Sequence, residues 1–307
     1  MAPYVGWPET IVPFTQHHDV YPGIDINGAL KEGARGKVVL ITGSSKGIGA
    51  ETARKYAQAG AKGLILAART ISNLEALKNE ILQNKSRRPS DFHPELQVEL
   101  CETDVTLVAQ VQETVKKGIE AFGRLDVVIC NAGYMTSWIP IVEHDPETWW
   151  KTWEVNIRGT FNVAHSTLPH LVKSKGHIVV ITSVGAQMRI PGGSAYMNGK
   201  HALNRFAEFI NAEYGEQGVK SFALHPGCMM TELASCSPQF VAMVDAGAIE
   251  IDEIALPASV LLRLTSGTED WLSGRYVSAN WDLDDVNKHK DKIIAEELLI
   301  NKLAVSF

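Results

Sequence analysis

Short apolar runs alternate with amphipathic segments along most of this chain, and that alternation constrains the fold more than any other feature. The runs are KVVLIT (37–42), GLILAA (63–68), LQVELCETD (96–104), DVVICNAG (126–133), GHIVVITS (176–183), VKSFALHPG (219–227) and YVSANWD (276–282). Most are rich in β-branched residues, are apolar at successive positions and are too short for buried helices. Strands apolar on both faces belong in a parallel sheet covered on both sides. The intervening segments have helical character. In 148–174, apolar residues recur at Trp149, Trp153, Ile157, Phe161, Ala164, Leu168 and Leu171, in steps of three and four. A second helix is expected over 194–215, with Leu203, Phe206 and Ile210 on one face. Seven strands with right-handed crossovers predict an α/β fold: a Rossmann-type, doubly wound, parallel seven-stranded sheet in a single domain over residues 37–282. Residues 1–36, rich in Pro and Gly, read as an irregular arm lying on the domain or on a partner subunit. Residues 283–307 read as a helical tail with an apolar end.

Composition excludes several classes. Of the 307 residues, 45% are hydrophobic and 21% charged, as in ordinary globular proteins. A net charge of −6 argues against nucleic-acid partners. Cys101, Cys130, Cys228 and Cys236 form no CxxC pair and read as reduced thiols. No HExxH pattern occurs among the ten histidines, and His17-His18 is an isolated pair, so no metal is expected. No apolar stretch is long enough to span a membrane, and the N-terminus lacks the pattern of a secretion signal. A cytoplasmic protein is expected.

Two motifs carry chemistry. TGSSKGIG (42–49) joins the first strand to the first helix, where free N–H groups and the helix dipole attract a dinucleotide pyrophosphate. Gly43, Gly47 and Gly49 permit a tight turn and close backbone approach. In SAYMNGKHAL, Tyr196 and Lys200 lie four apart, on one face of a helix. Spacing alone leaves that pair open to an ordinary surface reading.

The glycine spacing is TGxxxGxG, and the chain resembles the classical short-chain dehydrogenase/reductase family. Further positions agree in order: NAG at 131–133, Asn156 in EVNIRGTF, Ser183 at a strand end, Tyr196 and Lys200 in YxxxK, and HPGCMMT at 225–231, which matches PGxxxT. The resemblance covers about residues 36–282; the arm and the GRYVSANWD segment look like fungal members. It implies Tyr196 as general acid/base, with Lys200 lowering its pKa and holding the nicotinamide ribose. It implies Ser183 orienting the substrate oxygen and Asn156 anchoring a water that links Lys200 to solvent. Gly43, Ser45, Lys46, Gly47, Ile48, Gly49, Val105, Pro226 and Gly227 would line the cofactor site. Asp104 would meet adenine, Asn131, Ala132 and Gly133 would pass behind the adenosine ribose, and Thr231 would hold the carboxamide. At the end of the second strand stand Ala67, Ala68 and Arg69, with no acid. Arg69 and Lys46 match the NADP(H)-preferring pattern, since a planar guanidinium suits a 2′-phosphate.

The expected function is reduction of a ketone or aldehyde by NADPH, or the reverse; the alternative is a catalytically silent dinucleotide-binding module. Met135, Trp138, Gln187, Met188 and Tyr196 are expected to wall the substrate pocket, under a loop near 232–251 whose apolar residues suggest a small apolar carbonyl or alcohol. TGxxGxxG, the spacing of the family's extended dehydratases and epimerases, is absent. The two long helices are expected to pair across a two-fold axis, as a homodimer or homotetramer. Gly199, where Ser is frequent, is read as room for the cofactor or for close packing.

Overall fold

The computed structural model describes residues 12–303. Seven parallel strands form one sheet in the order β3-β2-β1-β4-β5-β6-β7. They are β1 (Val38–Thr42), β2 (Gly63–Ala68), β3 (Gln97–Glu102), β4 (Val127–Cys130), β5 (His177–Ile181), β6 (Lys220–His225) and β7 (Arg275–Ser278). Every expected strand is present: β2 has the expected bounds, β7 begins one residue earlier and ends four sooner, and the others are shorter by one to four residues. The sheet divides the core in two because strand side chains alternate faces. Val39 and Ile41 of β1 point to one side with α1 (Gly47–Gln58), α2 (Ile71–Arg87) and α8 (Ala255–Leu264). Val38 and Leu40 point to the other, with α3 (Val108–Phe122), α5 (Gly159–Ser174) and α6 (Ser194–Tyr214). All five β1 residues are buried, each apolar one contributing about 1.5–3 kcal/mol. The order reverses between β1 and β4, opening a crevice at the carboxyl ends of those strands.

Two differences from the sequence reading, and one alternative it left open, bear on the site. The helix expected over 148–174 is α4 (Pro146–Trp153) and α5 joined by a π-helical turn over Glu154–Arg158. There Gly159 N–H bonds to Glu154 O, one residue further back than in an α-helix. The tail is not one helix: α9 (Leu283–Lys288) and α10 (Lys290–Ala295) are short, and Glu297 and Leu299 at positive φ end the helical path. Leu299 O then accepts from Tyr276 N of β7 at 2.9 Å. The arm lies on its own domain: Phe14, Tyr21, Ile24 and Leu30 join the larger half of the core. Residues 1–11 and 304–307 of the expected arm and tail fall outside the described residues.

Candidate functional site

The turn after β1 is built by glycines for two reasons. Gly43 and Gly47 have φ of +64° and +58°, where side chains are strained. Gly49 has no such φ, but a Cβ on it would stand 2.5 Å from Gly43 O and 2.6 Å from Asn131 Nδ2. No side chain caps the start of α1, so its first N–H groups face the crevice. Asn131, from the end of β4, braces the turn: its amide donates to Thr42 O at 2.9 Å and Gly43 O at 3.1 Å. Thr42 Oγ1 in return accepts from Asn131 N and Ala132 N at 3.1 Å. The result is an anion cradle with bare amides, which fits a dinucleotide pyrophosphate.

A cleft of about 1000 Å³ runs from this turn across the sheet's carboxyl end. Of the expected cofactor residues, Gly43, Ser45, Lys46, Gly47, Ile48, Arg69, Asp104, Val105, Asn131, Ala132, Gly133 and Thr231 line it. Pro226, Gly227, Ser183, Tyr196 and Lys200 line a deeper cavity that Ile48, Asn131, Gly133 and Thr231 also border. Gly49 and Asn156 line neither; both act from behind the wall. Arg69 is exposed and makes no hydrogen bond or ion pair among the described residues, whereas Lys46 pairs with Glu232. Asp104 Oδ1 holds Thr106 through its N–H at 2.9 Å and its hydroxyl at 2.7 Å.

In the deeper cavity, Ser183 stands two residues past the end of β5 and its Oγ accepts from Gly185 N at 3.0 Å. Tyr196 and Lys200 stand on the first turns of α6, with Lys200 Nζ 5.5 Å from the phenol ring's centre. The Lys200 ammonium donates to Ile181 O at 2.7 Å, and burial holds its pKa down to about 8. The sequence reading expects Lys200 to lower the Tyr196 pKa. The protein's own groups do the reverse: burial pushes the phenol up to about 12, against a partial lowering by its hydrogen bond with Ser183, while the Cys228 thiol nearby adds to the rise. Desolvation of the phenolate outweighs the local hydrogen bonding.

Asn156 is fully buried in the π turn. Its Oδ1 accepts from Tyr134 N and its Nδ2 donates to Tyr134 O, both at 2.8 Å. The side chain thereby fastens the segment after β4, and its amide keeps a second N–H and a second acceptor position. The i+5 bond of the π turn shifts this residue out of the regular helical ladder.

Met135, Trp138 and Met188 line the deeper cavity, while Gln187 does not. The expected loop covers it, with Leu233, Phe240 of α7 (Pro238–Asp245), Met243 and Ile249 facing inward. Gln239 ties this cover to the opposite wall, donating to Trp138 O at 2.8 Å and accepting from Trp138 N at 3.4 Å. His225, which opens the HPGCMMT motif but has no role assigned from sequence, lines the same cavity; it is buried, its Nδ1 makes no bond, and burial holds it down to about 3. Only the register of β6, which turns His225 inward, identifies it. Gly199 lines neither cavity, and a Cβ there would meet nothing closer than Ile157 Cγ1 at 4.0 Å. The space expected to require a glycine is therefore not tight in the protein.

The thiols of Cys101 and Cys130 are raised by burial to about 11 and about 12, and no disulfide joins the four cysteines. Among the described residues there is no group of three or more His, Cys, Asp or Glu arranged to hold a metal. Nor is any helix among them long and apolar enough to cross a membrane.

The profile of the short chain dehydrogenase family matches residues 37–240. The short chain dehydrogenase citE of Monascus ruber is 41% identical over 290 residues, covering 94% of this chain and 95% of that protein. The short chain dehydrogenase pigC of the same organism is 35% identical, covering 96% and 93%. Among solved structures, a 3-ketoacyl-ACP reductase from Sinorhizobium meliloti 1021 is similar with a TM-score of 0.67 and 26% identity, covering 79% of this chain and 98% of that one. Carveol dehydrogenase from Mycobacterium avium in complex with NAD matches with a TM-score of 0.71 at 20% identity, covering 80% and 96%, a likeness of fold.

Proposed function

The chain belongs to the short-chain dehydrogenase family, and from that premise we propose that it is an NADP(H)-dependent carbonyl reductase. Its family makes it an NAD(P)-dependent oxidoreductase. The reading beyond that rests on one juxtaposition: Ser183, Tyr196 and Lys200 line a covered apolar cavity continuous with the glycine cradle. A bound nicotinamide dinucleotide supplies the hydride and, when oxidised, a positive charge that favours the Tyr196 phenolate. Tyr196 gives the proton to the carbonyl oxygen during reduction and takes it back in the reverse direction. Ser183 would hold that oxygen, and Lys200 would hold the nicotinamide ribose. The cover of Leu233, Phe240 and Met243 keeps water from the reacting carbon and suits a small apolar ketone or aldehyde.

Arg69, unpaired among the described residues, and the lack of an acid at Ala67 and Ala68 favour a 2′-phosphate. Lys46 would add a second cation by leaving Glu232. We further propose that the protein is a cytoplasmic homo-oligomer. The observation that supports assembly is an apolar groove on the outer faces of α4, α5 and α6, where Trp150, Phe161 and Phe209 are exposed.

The test is oxidation of NADPH and of NADH against ketones, aldehydes and quinones, by wild type and Tyr196→Phe. Turnover with a higher kcat/KM for NADPH, abolished in Tyr196→Phe with NADPH binding retained, supports the reading. A preference for NADH refutes the cofactor assignment. Unchanged turnover in Tyr196→Phe removes that residue from the mechanism. Nucleotide binding without turnover of any carbonyl favours the silent module.

A further inference from the structure

The cover over the cavity begins and ends at one point. Asp252 N donates to Cys228 O at 2.8 Å, and Cys228 N donates back to Asp252 Oδ2 at 2.5 Å. This reciprocal pair closes residues 228–252 into a loop. It also grips the Pro226–Cys228 turn: Gly227, at φ +91°, faces the same carboxylate so closely that a Cβ would stand 2.4 Å from Asp252 Oδ2. Pro226 and Gly227 border the deeper cavity beside Tyr196 and Lys200.

What fixes Asp252 comes from elsewhere in the chain. Its carboxylate is almost wholly buried, which favours the neutral acid unless donors surround it. Oδ1 accepts from Asn280 Nδ2 at 2.7 Å and from His18 Nδ1 at 2.6 Å. Asn280 is in turn held by the arm, with its Nδ2 donating to His17 O at 3.0 Å and its O accepting from His17 N at 2.7 Å. His18 O accepts from Glu253 N at 2.8 Å, and His18 Nε2 lies 3.1 Å from Glu250 Oε2 on the cover itself. The arm thus reaches the base of the cover and the turn beside the cofactor by three links: the His18 imidazole on Asp252, the His17 backbone through Asn280, and the His18 carbonyl on Glu253.

We propose that His18 is a positioning residue for cofactor binding: through Asp252 it holds the Gly227–Cys228 turn and the base of the 228–252 cover in the conformation that accepts the nicotinamide end. The proposal rests on the dinucleotide-binding reading above. His18 touches neither reactant, so its removal acts on the fraction of molecules whose turn is in place. Cofactor affinity falls by that fraction.

The experiment measures the Kd of whichever of NADPH and NADH wild type binds more tightly, together with cofactor KM, kcat and Tm, in wild type, His18→Ala and His18→Asn. The Asn amide restores a donor near the Nδ1 position. Loss of a hydrogen bond to a buried carboxylate predicts that His18→Ala raises Kd and cofactor KM about tenfold. Its Tm should stay within about 2 °C of wild type, and His18→Asn should recover most of the affinity. A wild-type Kd in His18→Ala overturns the proposal, as does a lowered Tm or active fraction with cofactor KM unmoved, which is the signature of a merely structural contact. Failure of wild type to bind either nucleotide overturns the dinucleotide reading itself, and this proposal with it.

Discussion

Gly49 and Gly199 are both helical glycines beside the site, and the structure assigns their replacement by alanine opposite signs. In Gly49→Ala the new Cβ would lie 2.5 Å from Gly43 O, 2.6 Å from Asn131 Nδ2 and 2.9 Å from Ser44 Cα. Comfortable contacts are about 3.5 Å, so the turn and the Asn131 amide must separate from the helix by about 1 Å. That overpacking costs about 1–3 kcal/mol, a fall in Tm of about 2–6 °C for a chain of this size. It also strains the bonds from Asn131 to Thr42 O and Gly43 O that set the cradle, so dinucleotide affinity should fall at least about tenfold. In Gly199→Ala the nearest atom is 4.0 Å away, φ is not positive, and the helix gains a better former. Tm should rise by about 1–2 °C, from about 0.5–1 kcal/mol, with cofactor KM unchanged. Differential scanning calorimetry and fluorescence titration with NADPH and NADH read both quantities. A Gly49→Ala variant with wild-type Tm and affinity would refute the packing argument, and so would a destabilised Gly199→Ala.

Asn156→Ala strands Tyr134 N–H and C=O, and should cost about 2–4 kcal/mol, seen as a Tm lower by about 4–8 °C; Asn156→Asp should be no better, because a carboxylate cannot donate to Tyr134 O. Lys200 has a folded pKa of about 8 against about 10.4 unfolded, so between those values the unfolded chain binds the extra proton and stability rises with pH. Wild type should therefore gain up to about 3 kcal/mol relative to Lys200→Met from pH 8 to 10, while above pH 10 the raised Tyr196 pKa lowers the stability of both proteins alike; parallel chemical-denaturation curves for the two proteins would exclude the effect. Phe209→Glu on the outer groove should shift the mass measured by light scattering toward the monomer, and an unchanged mass would place any assembly elsewhere.

The order of elements, the parallel sheet, the glycine turn and the Tyr196–Lys200 pair were all legible in the sequence. Each is written in spacings of two to five residues: alternation across a strand, steps of three and four along a helix, glycines where φ must be positive. A helical period predicts 148–174 as a helix well, but the π turn within it adds a single residue and leaves the apolar steps almost unchanged. Asn156 therefore reads as an odd polar residue in the sequence and as the anchor of Tyr134 only in the fold, 22 residues away.

Tertiary structure decided what depends on distance and burial. Whether Gly199 is crowded, and whether Tyr196 is raised or lowered, turn on which atoms surround them, and burial beat hydrogen bonding at the phenol. His17-His18 looked like an isolated pair because its partners, Asp282 and Asp252, lie 265 and 234 positions along the chain. Local sequence sets backbone geometry through sterics shared by near neighbours. Pairings across hundreds of residues carry no local period, and exist only once the sheet has brought the arm, the cover and the end of β7 to one edge.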